Sequence, residues 1–278
     1  VGAVGNMNAA TTVNNDFIVY SGTAATGVNN IEVKNNTSIT GTFNIDGAGT
    51  KIFKHVYINS GGTWNNSANE AVLINGDIQN DGTFTSGLNI YTLAGFSNTV
   101  SGINALSFNT INTTGFYTNL TTVTAVTGMQ GSGKWTQGLN SYLYIGAVNT
   151  TVSTFDAGSN INTVNYNLAG DQYVRTTTYY HLITSGGTGT KTLDGNVIVN
   201  GNFSIETGAT CDASIFDYDM FIRGNWTNDG LFTPRAGKVT FDGSIVQTIS
   251  GNTPTSFFDI KFNNSVGNNA DIMINDND

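Results

Sequence analysis

A short alternating segment with a central glycine recurs along the chain at a nearly constant spacing. Val197, Met220 and Val239 begin three such segments and are separated by 23 and 19 residues, while Val72 and Tyr91 begin two more that are 19 residues apart. A period of this length indicates a repeat protein, in which one structural unit is built many times. The segments are 72–78, 91–95, 197–203, 220–226 and 239–245.

Longer stretches of the chain are copies of one another. INGDIQNDGTFT at 74–85 aligns without a gap with IRGNWTNDGLFT at 222–233, and VNYNLAGDQYV at 164–174 overlays VTFDGSIVQTI at 239–249, which matches Gln172 with Gln247. An aromatic residue followed three positions later by an aliphatic one also recurs. These pairs are Phe53 and Val56, Phe108 and Ile111, Tyr179 and Leu182, and Phe257 and Ile260.

The composition excludes a helical protein. Charged residues make up 10% of the chain, against about 25% in a typical soluble domain, and there are 34 glycines. With Asn, Gly, Thr or Ser every few positions, no window sustains an apolar stripe of helical period. A hydrophobic content of 38%, with 16 Phe and 11 Tyr, is nevertheless enough for a core, so disorder is not expected.

Alternation inside each segment, with Gly, Asn and Asp between segments, predicts strands wound repeatedly into coils. We therefore predict an all-β fold, a parallel β-helix (β-solenoid) of roughly 20-residue coils. At about 21 residues and about 4.8 Å per coil, the chain would make about 13 coils and a rod about 60 Å long. Residues 1–40 match less clearly and are expected to be an irregular start or N-terminal coils. Residues 41–278 are expected to be repeat-built solenoid that continues beyond residue 278.

The charge balance indicates which partners to expect. Ten basic and 19 acidic residues give a net charge of -9, which opposes binding to nucleic acid and to anionic membranes. No apolar run reaches the length of a membrane span, and the first residues do not read as a signal peptide. Cys211, the single cysteine, cannot form an internal disulfide. The chain begins without Met, so we expect a processed chain or a piece of a longer one.

Several strings in the sequence resemble a known family. GNWTNDGLFTPRAGKVTFDGSIVQTISG, TVNYNLAGDQYV, YYHLITSGGTGTKTLDGNVIVNGNFSIETGA and GSGKWTQGLNSYLYIG are similar to the repeat regions of very large secreted and cell-surface proteins of the Bacteroidota, over roughly residues 40 to 265. That resemblance implies a β-helical stalk of an adhesin or of a gliding or colonisation protein. It also implies export by the type 9 secretion system, through a C-terminal sorting domain that is not visible here.

The candidate catalytic residues are acidic. A polysaccharide hydrolase needs two or three convergent carboxylates, and the densest group is Asp212, Asp217 and Asp219. Asp217 and Asp219 would point the same way only if this stretch were extended, so a solvated Asp-rich corner is the favoured interpretation over a catalytic or Ca²⁺ site. Arg175, Arg223 and Arg235, which a lyase could use, are isolated in the sequence, although convergence across coils stays open.

The other reactive residue types favour structural interpretations. His55 and His181 each precede an aliphatic anchor but are 126 residues apart, so a surface histidine is favoured over a metal ligand. Cys211 is expected to be a small packed residue. Trp64, Trp135 and Trp226 could form carbohydrate platforms, but core filling is favoured.

Two further motifs are weighed against their structural alternatives. Asp276 to Asp278 could begin a calcium loop, although a strand corner is favoured. Thr-x-Thr pairs suggest an ice-binding face, but their spacings of 43 and 39 do not place one pair on every coil. The pairs are Thr40 and Thr42, Thr83 and Thr85, and Thr122 and Thr124.

These observations favour a structural and adhesive role. We predict a non-catalytic, elongated stalk of a secreted or cell-surface bacterial protein that displays loops for attachment, with no cofactor, no metal and no catalytic residues. Its expected partners are the type 9 secretion machinery during export, and surface glycans or neighbouring copies. Because no aromatic cluster marks a pocket, glycan binding is expected to be spread along loops. The alternatives are a subunit of an extracellular filament and a polysaccharide-active β-helix enzyme.

Overall fold

In a computed structural model, which describes residues 4–265 and 273–274, the protein is an all-β parallel solenoid. These residues form 33 strands and no helix. The predicted fold class is therefore confirmed. No helix of the described residues could cross a membrane.

The chain divides into two compact units. Unit 1 comprises Val1–Thr136 and Thr151–Phe155, and unit 2 comprises Gln137–Thr150 and Asp156–Asp278. The strands are β1 (Val4–Asn6), β2 (Thr11–Val13), β3 (Phe17–Val19), β4 (Thr23–Ala25), β5 (Ile31–Ile39), β6 (Thr42–Asn44), β7 (Lys51–Ile58), β8 (Thr63–Asn65), β9 (Val72–Ile74), β10 (Ile78–Asn80), β11 (Thr83–Thr85), β12 (Ile90–Leu93), β13 (Asn98–Ser101), β14 (Leu106–Thr113), β15 (Phe116–Asn119), β16 (Thr122–Gln137), β17 (Tyr142–Ile145), β18 (Thr150–Asp156), β19 (Thr163–Tyr166), β20 (Gln172–Val174), β21 (Thr178–Tyr179), β22 (His181–Thr184), β23 (Thr190–Leu193), β24 (Val197–Val199), β25 (Phe203–Ile205), β26 (Thr210–Asp212), β27 (Met220–Ile222), β28 (Trp226–Asn228), β29 (Leu231–Thr233), β30 (Lys238–Phe241), β31 (Thr248–Ser250), β32 (Asp259–Phe262) and β33 (Met273–Ile274).

In unit 1 each coil pairs in parallel with the coils before and after it. One sheet contains the five strands β1, β4, β6, β8 and β11. The remaining strands between β2 and β15 belong to a second, larger sheet. One ladder carries one side chain from each of seven consecutive coils. Its members are Thr11, Ile31, Lys51, Val72, Tyr91, Ile111 and Met129. Their regular spacing gives each coil about 20 residues, a period typical of repeat proteins.

Unit 2 also stacks its strands in parallel ladders. Strands β20, β23, β26 and β29 form one sheet, and strands β21, β24, β27, β30 and β32 form a second. A third ladder stacks one inward side chain from each successive coil. Its members are Leu143, Val164, Leu182, Phe203, Trp226 and Ile249.

The ladder predicted from the repeat spacing is present in unit 2. Val197 pairs with Met220 and Met220 pairs with Val239, on strands β24, β27 and β30. All three side chains are buried. The sequence-based register is confirmed because alternate residues of a strand face opposite sides, so a slip of one residue would have exposed all three.

The aromatic–aliphatic pairs mark where the chain bends between two strand directions. Phe53 and Val56 are both buried in β7, and the pairing of β5 with β7 shifts register at this point. Tyr179 ends β21, and Leu182 lies in β22 after the bend. The two residues between the aromatic and the aliphatic anchor therefore both point away from the core. In a straight strand, inward-facing residues are two positions apart, so the bend explains why these anchors are three positions apart.

The central glycine is required by close stacking of coils. A Cβ atom built on Gly224 would lie 2.3 Å from the carbonyl oxygen of Gly201 in the preceding coil. No side chain fits in that space, so glycine recurs wherever the chain makes this turn.

Residues 4–40 form strands in register with the following coils. Strand β1 pairs with β4, and both β2 and β3 pair with β5. Asp276 to Asp278, the possible start of a calcium loop, lie outside the described residues.

Candidate functional site

The acidic group proposed from the sequence does not form a convergent site. Asp212 lies at the end of β26 and accepts two hydrogen bonds from Arg235, at 2.9 Å from Nε and 2.6 Å from Nη2, and one from the Ser214 amide at 2.8 Å. These contacts, with Arg235 contributing most, hold the pKa of the Asp212 carboxyl below its usual value. Arg235, isolated in the sequence, thus becomes an ion-pair partner supplied by the next coil.

Asp217 and Asp219 bind the main chain of the following coil. Asp217 accepts the amide N–H of Ala236 at 2.8 Å, and Asp219 accepts that of Lys238 at 2.8 Å. Asp217 has a φ of 60°, so the stretch is not extended and the condition for the two carboxylates to point the same way is not met. Asp217 is exposed and Asp219 is half-buried, but Asp212 is buried, so the expected solvated Asp-rich corner is present only in part, and its carboxylates also join coils.

This use of acidic and amide side chains recurs throughout the chain. Each of these side chains accepts, through an oxygen, a main-chain N–H of the following coil. The pairs of acceptor and donor are Asp16 and Asn36, Asn30 and Thr50, Asp77 and Thr99, Asp81 and Ile103, Asp171 and Thr190, Asn196 and Asp219, Asn202 and Asn225, and Asp229 and Asn252. Each acceptor satisfies a donor at a coil corner, where no strand partner is present. Many acidic residues of the chain therefore stabilise coil stacking.

The histidines take the same position in the two units. Nδ1 of His55 accepts the amide N–H of Asp77 at 3.0 Å, and Nδ1 of His181 accepts that of Asn202 at 2.9 Å. Nothing in the part of the chain that the structure describes groups three His, Cys, Asp or Glu side chains for a metal ion.

Two lysines are buried inside the solenoid, which the sequence analysis did not anticipate. Nζ of Lys51 donates to the carbonyl oxygens of Gly27 (3.3 Å) and Asn29 (2.8 Å). Nζ of Lys191 donates to those of Leu168 and Gly170, the latter at 2.8 Å. Burial lowers the pKa of both amines. Because each amine binds inward-facing carbonyls, its role is to stabilise a coil corner.

A groove of about 480 Å³ runs along the outer side of β7, β9 and β12. Ile52, Leu73 and Thr92 line it, and Glu70 is its single carboxylate. A retaining or inverting glycosidase requires a second carboxylate across the scissile bond, and the lining residues do not supply one.

The tryptophans and the cysteine belong to the core. Trp64, Trp135 and Trp226 are all fully buried, which confirms core filling over carbohydrate platforms. Cys211 is also fully buried, and burial raises the pKa of its thiol, so it lacks the exposed thiolate that a nucleophile needs.

The most distinctive exposed feature is an aromatic pair in unit 1. Phe96 and Phe116 come from consecutive coils, and their ring centroids are 4.9 Å apart at an interplanar angle of 69°. They are 71% and 48% exposed. The expectation that no aromatic cluster is present therefore needs correction at this position. A signal was available, because both residues follow a glycine and lie one repeat period apart in the sequence.

Threonines form a column on the five-stranded sheet of unit 1. Thr23, Thr42, Thr63 and Thr83 are aligned on four neighbouring strands. Thr42 and Thr83 are two coils apart with Thr63 between them, so the spacing of 43 skips one coil. The third predicted pair, Thr122 and Thr124, lies on β16, outside this sheet. A second column, beside the first, contains Asn44, Asn65 and Thr85.

The chain matches no family model, no curated protein and no solved structure.

Proposed function

We propose that this chain is a non-catalytic structural and adhesive segment of a secreted or cell-surface bacterial protein. The observation that carries the proposal is the use of its carboxylates. Asp212 is held by an arginine, and Asp217 and Asp219 accept main-chain N–H groups of the next coil. A glycan-active enzyme would instead hold two carboxylates on either side of a substrate cleft.

Attachment is assigned to the aromatic pair of Phe96 and Phe116. Exposed aromatic rings bury apolar area on binding and stack against the apolar faces of sugar rings. A net charge of -9 makes neutral glycans better partners than nucleic acid or acidic polymers. The proposal extends to export by the type 9 secretion system and to a position outside the cell, which the resemblance to Bacteroidota stalks supports.

Glycan-array binding of the purified chain tests the attachment site. We expect binding to neutral glycans that falls at least tenfold in the double variant Phe96→Ser, Phe116→Ser. Phe216→Ser is the matched control, because Phe216 is 70% exposed and lies in unit 2. Equal binding by the double variant and the wild type would remove the aromatic pair from the proposal.

A filament subunit remains the alternative within the same structural class. Parallel coils can add end to end, because each edge strand offers unpaired N–H and C=O groups to another chain. Electron microscopy of the purified chain separates the two roles: regular end-to-end polymers favour the subunit, and single particles favour the stalk.

The threonine column supports ice binding as a second candidate function. Neighbouring strands are about 4.8 Å apart and alternate residues about 6.7 Å apart, so the two columns present hydroxyl and amide groups in a regular array. Strands β4, β6, β8 and β11 carry no charged residue. Inhibition of ice recrystallisation that is lost in Thr63→Tyr and kept in Thr118→Tyr would establish this function, and no inhibition by the wild type would exclude it.

A further inference from the structure

The two histidines of the chain occupy equivalent corners, one in each unit. The residue before each donor amide is glycine, and a Cβ atom on Gly76 or Gly201 would lie 2.7 Å from the ring of His55 or His181. Each imidazole is therefore packed tightly against the next coil. Each also receives a main-chain N–H at Nδ1, a hydrogen bond that requires a lone pair on that atom.

The two corners differ in one side chain. Next to His55, Asp77 places its Oδ2 at 3.2 Å from Nδ1. In unit 2 the corresponding residue is Asn202, which has no carboxylate. Its Oδ1 accepts the amide N–H of Asn225 at 3.0 Å, just as Oδ1 of Asp77 accepts that of Thr99 at 2.7 Å. The hydrogen bond to the main chain of the following coil is the same, although Oδ1 of Asp77 also accepts from Asn98 Nδ2 (3.3 Å) and Thr99 Oγ1 (3.2 Å). The ion-pair partner of the histidine is present at the His55 corner and missing at the His181 corner.

Among the described residues, the surroundings of His181 supply no other anion that contacts the ring. Thr163 pairs with it on the preceding coil, and the Tyr180 ring lies 4.9 Å away. Tyr142 pairs with Thr163 one coil further back. The charged residues of the following coils at this corner are Arg223 and Asp242, which pair with each other at 3.5 Å. Burial alone lowers the pKa of His181.

The surroundings of His55 are richer in ionisable groups. Asp77 contacts the ring directly, and Tyr57 stacks beside it at 6.1 Å. Lys54 precedes His55 in β7, and Asp16 binds the amide of Asn36, the residue paired with His55 on the preceding coil.

We propose that the contact between His181 and Asn202 is an acid-labile joint between consecutive coils of unit 2. When Nδ1 takes a proton from the solvent, its acceptor lone pair is replaced by an N–H that faces the N–H of Asn202. That amide loses its partner, and the corner loosens. At the equivalent corner, the Asp77 amide loses the same acceptor, but a protonated His55 ring donates to Oδ2 of Asp77, so a contact between the two coils is kept.

Amide hydrogen exchange on the full chain, measured beside an NMR titration of the two histidine rings, tests the joint. Protection factors are corrected for the effect of pH on the intrinsic exchange rate. They are then compared at pH values above and below the titration midpoint of each histidine ring. We expect the amides of Asn202 and Leu182, the second of which donates to the Asn202 carbonyl at 3.0 Å, to lose protection roughly tenfold when His181 is protonated, as for one main-chain hydrogen bond. The Val56 amide, which donates to the Asp77 carbonyl at 2.9 Å, should stay protected when His55 is protonated.

Exchanging the two partners makes the test specific. Asn202→Asp should raise the titration midpoint of His181 and preserve protection of the Leu182 amide in acid. Asp77→Asn should make the Val56 amide acid-sensitive. His181→Asn keeps an acceptor oxygen near the place of Nδ1 but cannot titrate, so its amide at position 202 should show no step with pH.

Three results would overturn the proposal. One is an Asn202 amide that stays equally protected while His181 titrates. Another is an Asn202→Asp variant in which the Leu182 amide is as acid-sensitive as in the wild type. The third is a His181 ring that stays neutral down to pH 4, because the joint would then never open in a folded protein.

Discussion

Gln172 and Gln247 bind the chain in the same way, although they lie far apart in the sequence. Nε2 of Gln172 donates to the carbonyl oxygens of Ile145 (2.6 Å) and Ala147 (2.8 Å). Nε2 of Gln247 donates to those of Ile222 (2.9 Å) and Gly224 (2.7 Å). Each amide satisfies two inward-facing carbonyls of a preceding coil, and both side chains are buried.

Replacing Gln247 by Leu should therefore destabilise unit 2. The Gly224 carbonyl would lose the donor and the Gly243 amide the acceptor that Gln247 supplies, at about 1 to 3 kcal/mol each, whereas the Ile222 carbonyl keeps the Asp242 amide. Chemical denaturation measures the loss. Gln79→Leu is the matched control, because Gln79 faces outward on β10 and its side chain donates to the Asp81 carboxylate. Equal stability of Gln247→Leu and the control would mean that water replaces the amide.

The inward ladder should dominate stability. Phe241 is fully buried and stacks with Phe262 at 5.8 Å, so Phe241→Ala should lower the free energy of unfolding by about 3 to 5 kcal/mol. Asp217→Ala removes one exposed hydrogen bond to the next coil and should cost about 1 kcal/mol. Denaturation curves that show equal losses would reveal that Asp217 has a larger structural or metal-binding role.

The repeat spacing was sufficient to predict the interior but not the corners. Val197, Met220 and Val239 were identified because apolar side chains on successive coils recur at a fixed spacing. The ion pair of Asp212 with Arg235 was missed because the partner comes from the following coil, 23 residues away. A corner can take its donor or acceptor from any of several nearby positions, so its partners carry no fixed spacing.

Buried polar residues were also hidden in the sequence. Lys191 lies in an inward ladder between Gln172 and Cys211. Composition does not predict a buried lysine, because the carbonyl groups that accept its hydrogen bonds are brought together only by the fold. In unit 1, Tyr117 binds the chain as Gln172 and Gln247 do in unit 2, because its hydroxyl lies 3.0 and 2.9 Å from the carbonyl oxygens of Ile74 and Gly76. Aligning the repeats by their glutamines does not identify this tyrosine, because the residue type differs.

The ion pair of Asp212 and Arg235 should produce acid sensitivity below about pH 4. The pKa of Asp212 is lower in the folded chain than in the unfolded chain, mainly through its hydrogen bonds to Arg235. The resulting stability is fully present above the unfolded pKa of 3.8 and is lost as pH falls through the folded pKa. Asp212→Asn should flatten this part of the stability–pH curve. Asp259→Asn, at an exposed acid, is the control.

Tyr117 should contribute sensitivity to base. Burial raises its pKa from 10.0 to about 12, so the unfolded chain loses this proton first. Stability should fall as pH rises from 10 to 12, by up to about 3 kcal/mol from this group. Tyr117→Phe should reduce the slope, whereas Tyr20→Phe, at a tyrosine that is 80% exposed, should leave it unchanged. Alkaline denaturation followed by circular dichroism distinguishes these outcomes.

The most direct test of the non-catalytic role is a depolymerisation assay on uronic-acid and neutral glycans, with and without Ca²⁺. Unsaturated products and new reducing ends are measured for the wild type and for Asp217→Asn and Asp219→Asn. Because these carboxylates bind the amides of Ala236 and Lys238, we predict no turnover by any of the three proteins. Turnover by the wild type that either substitution abolishes would contradict the structural role and identify the chain as a polysaccharide-active enzyme.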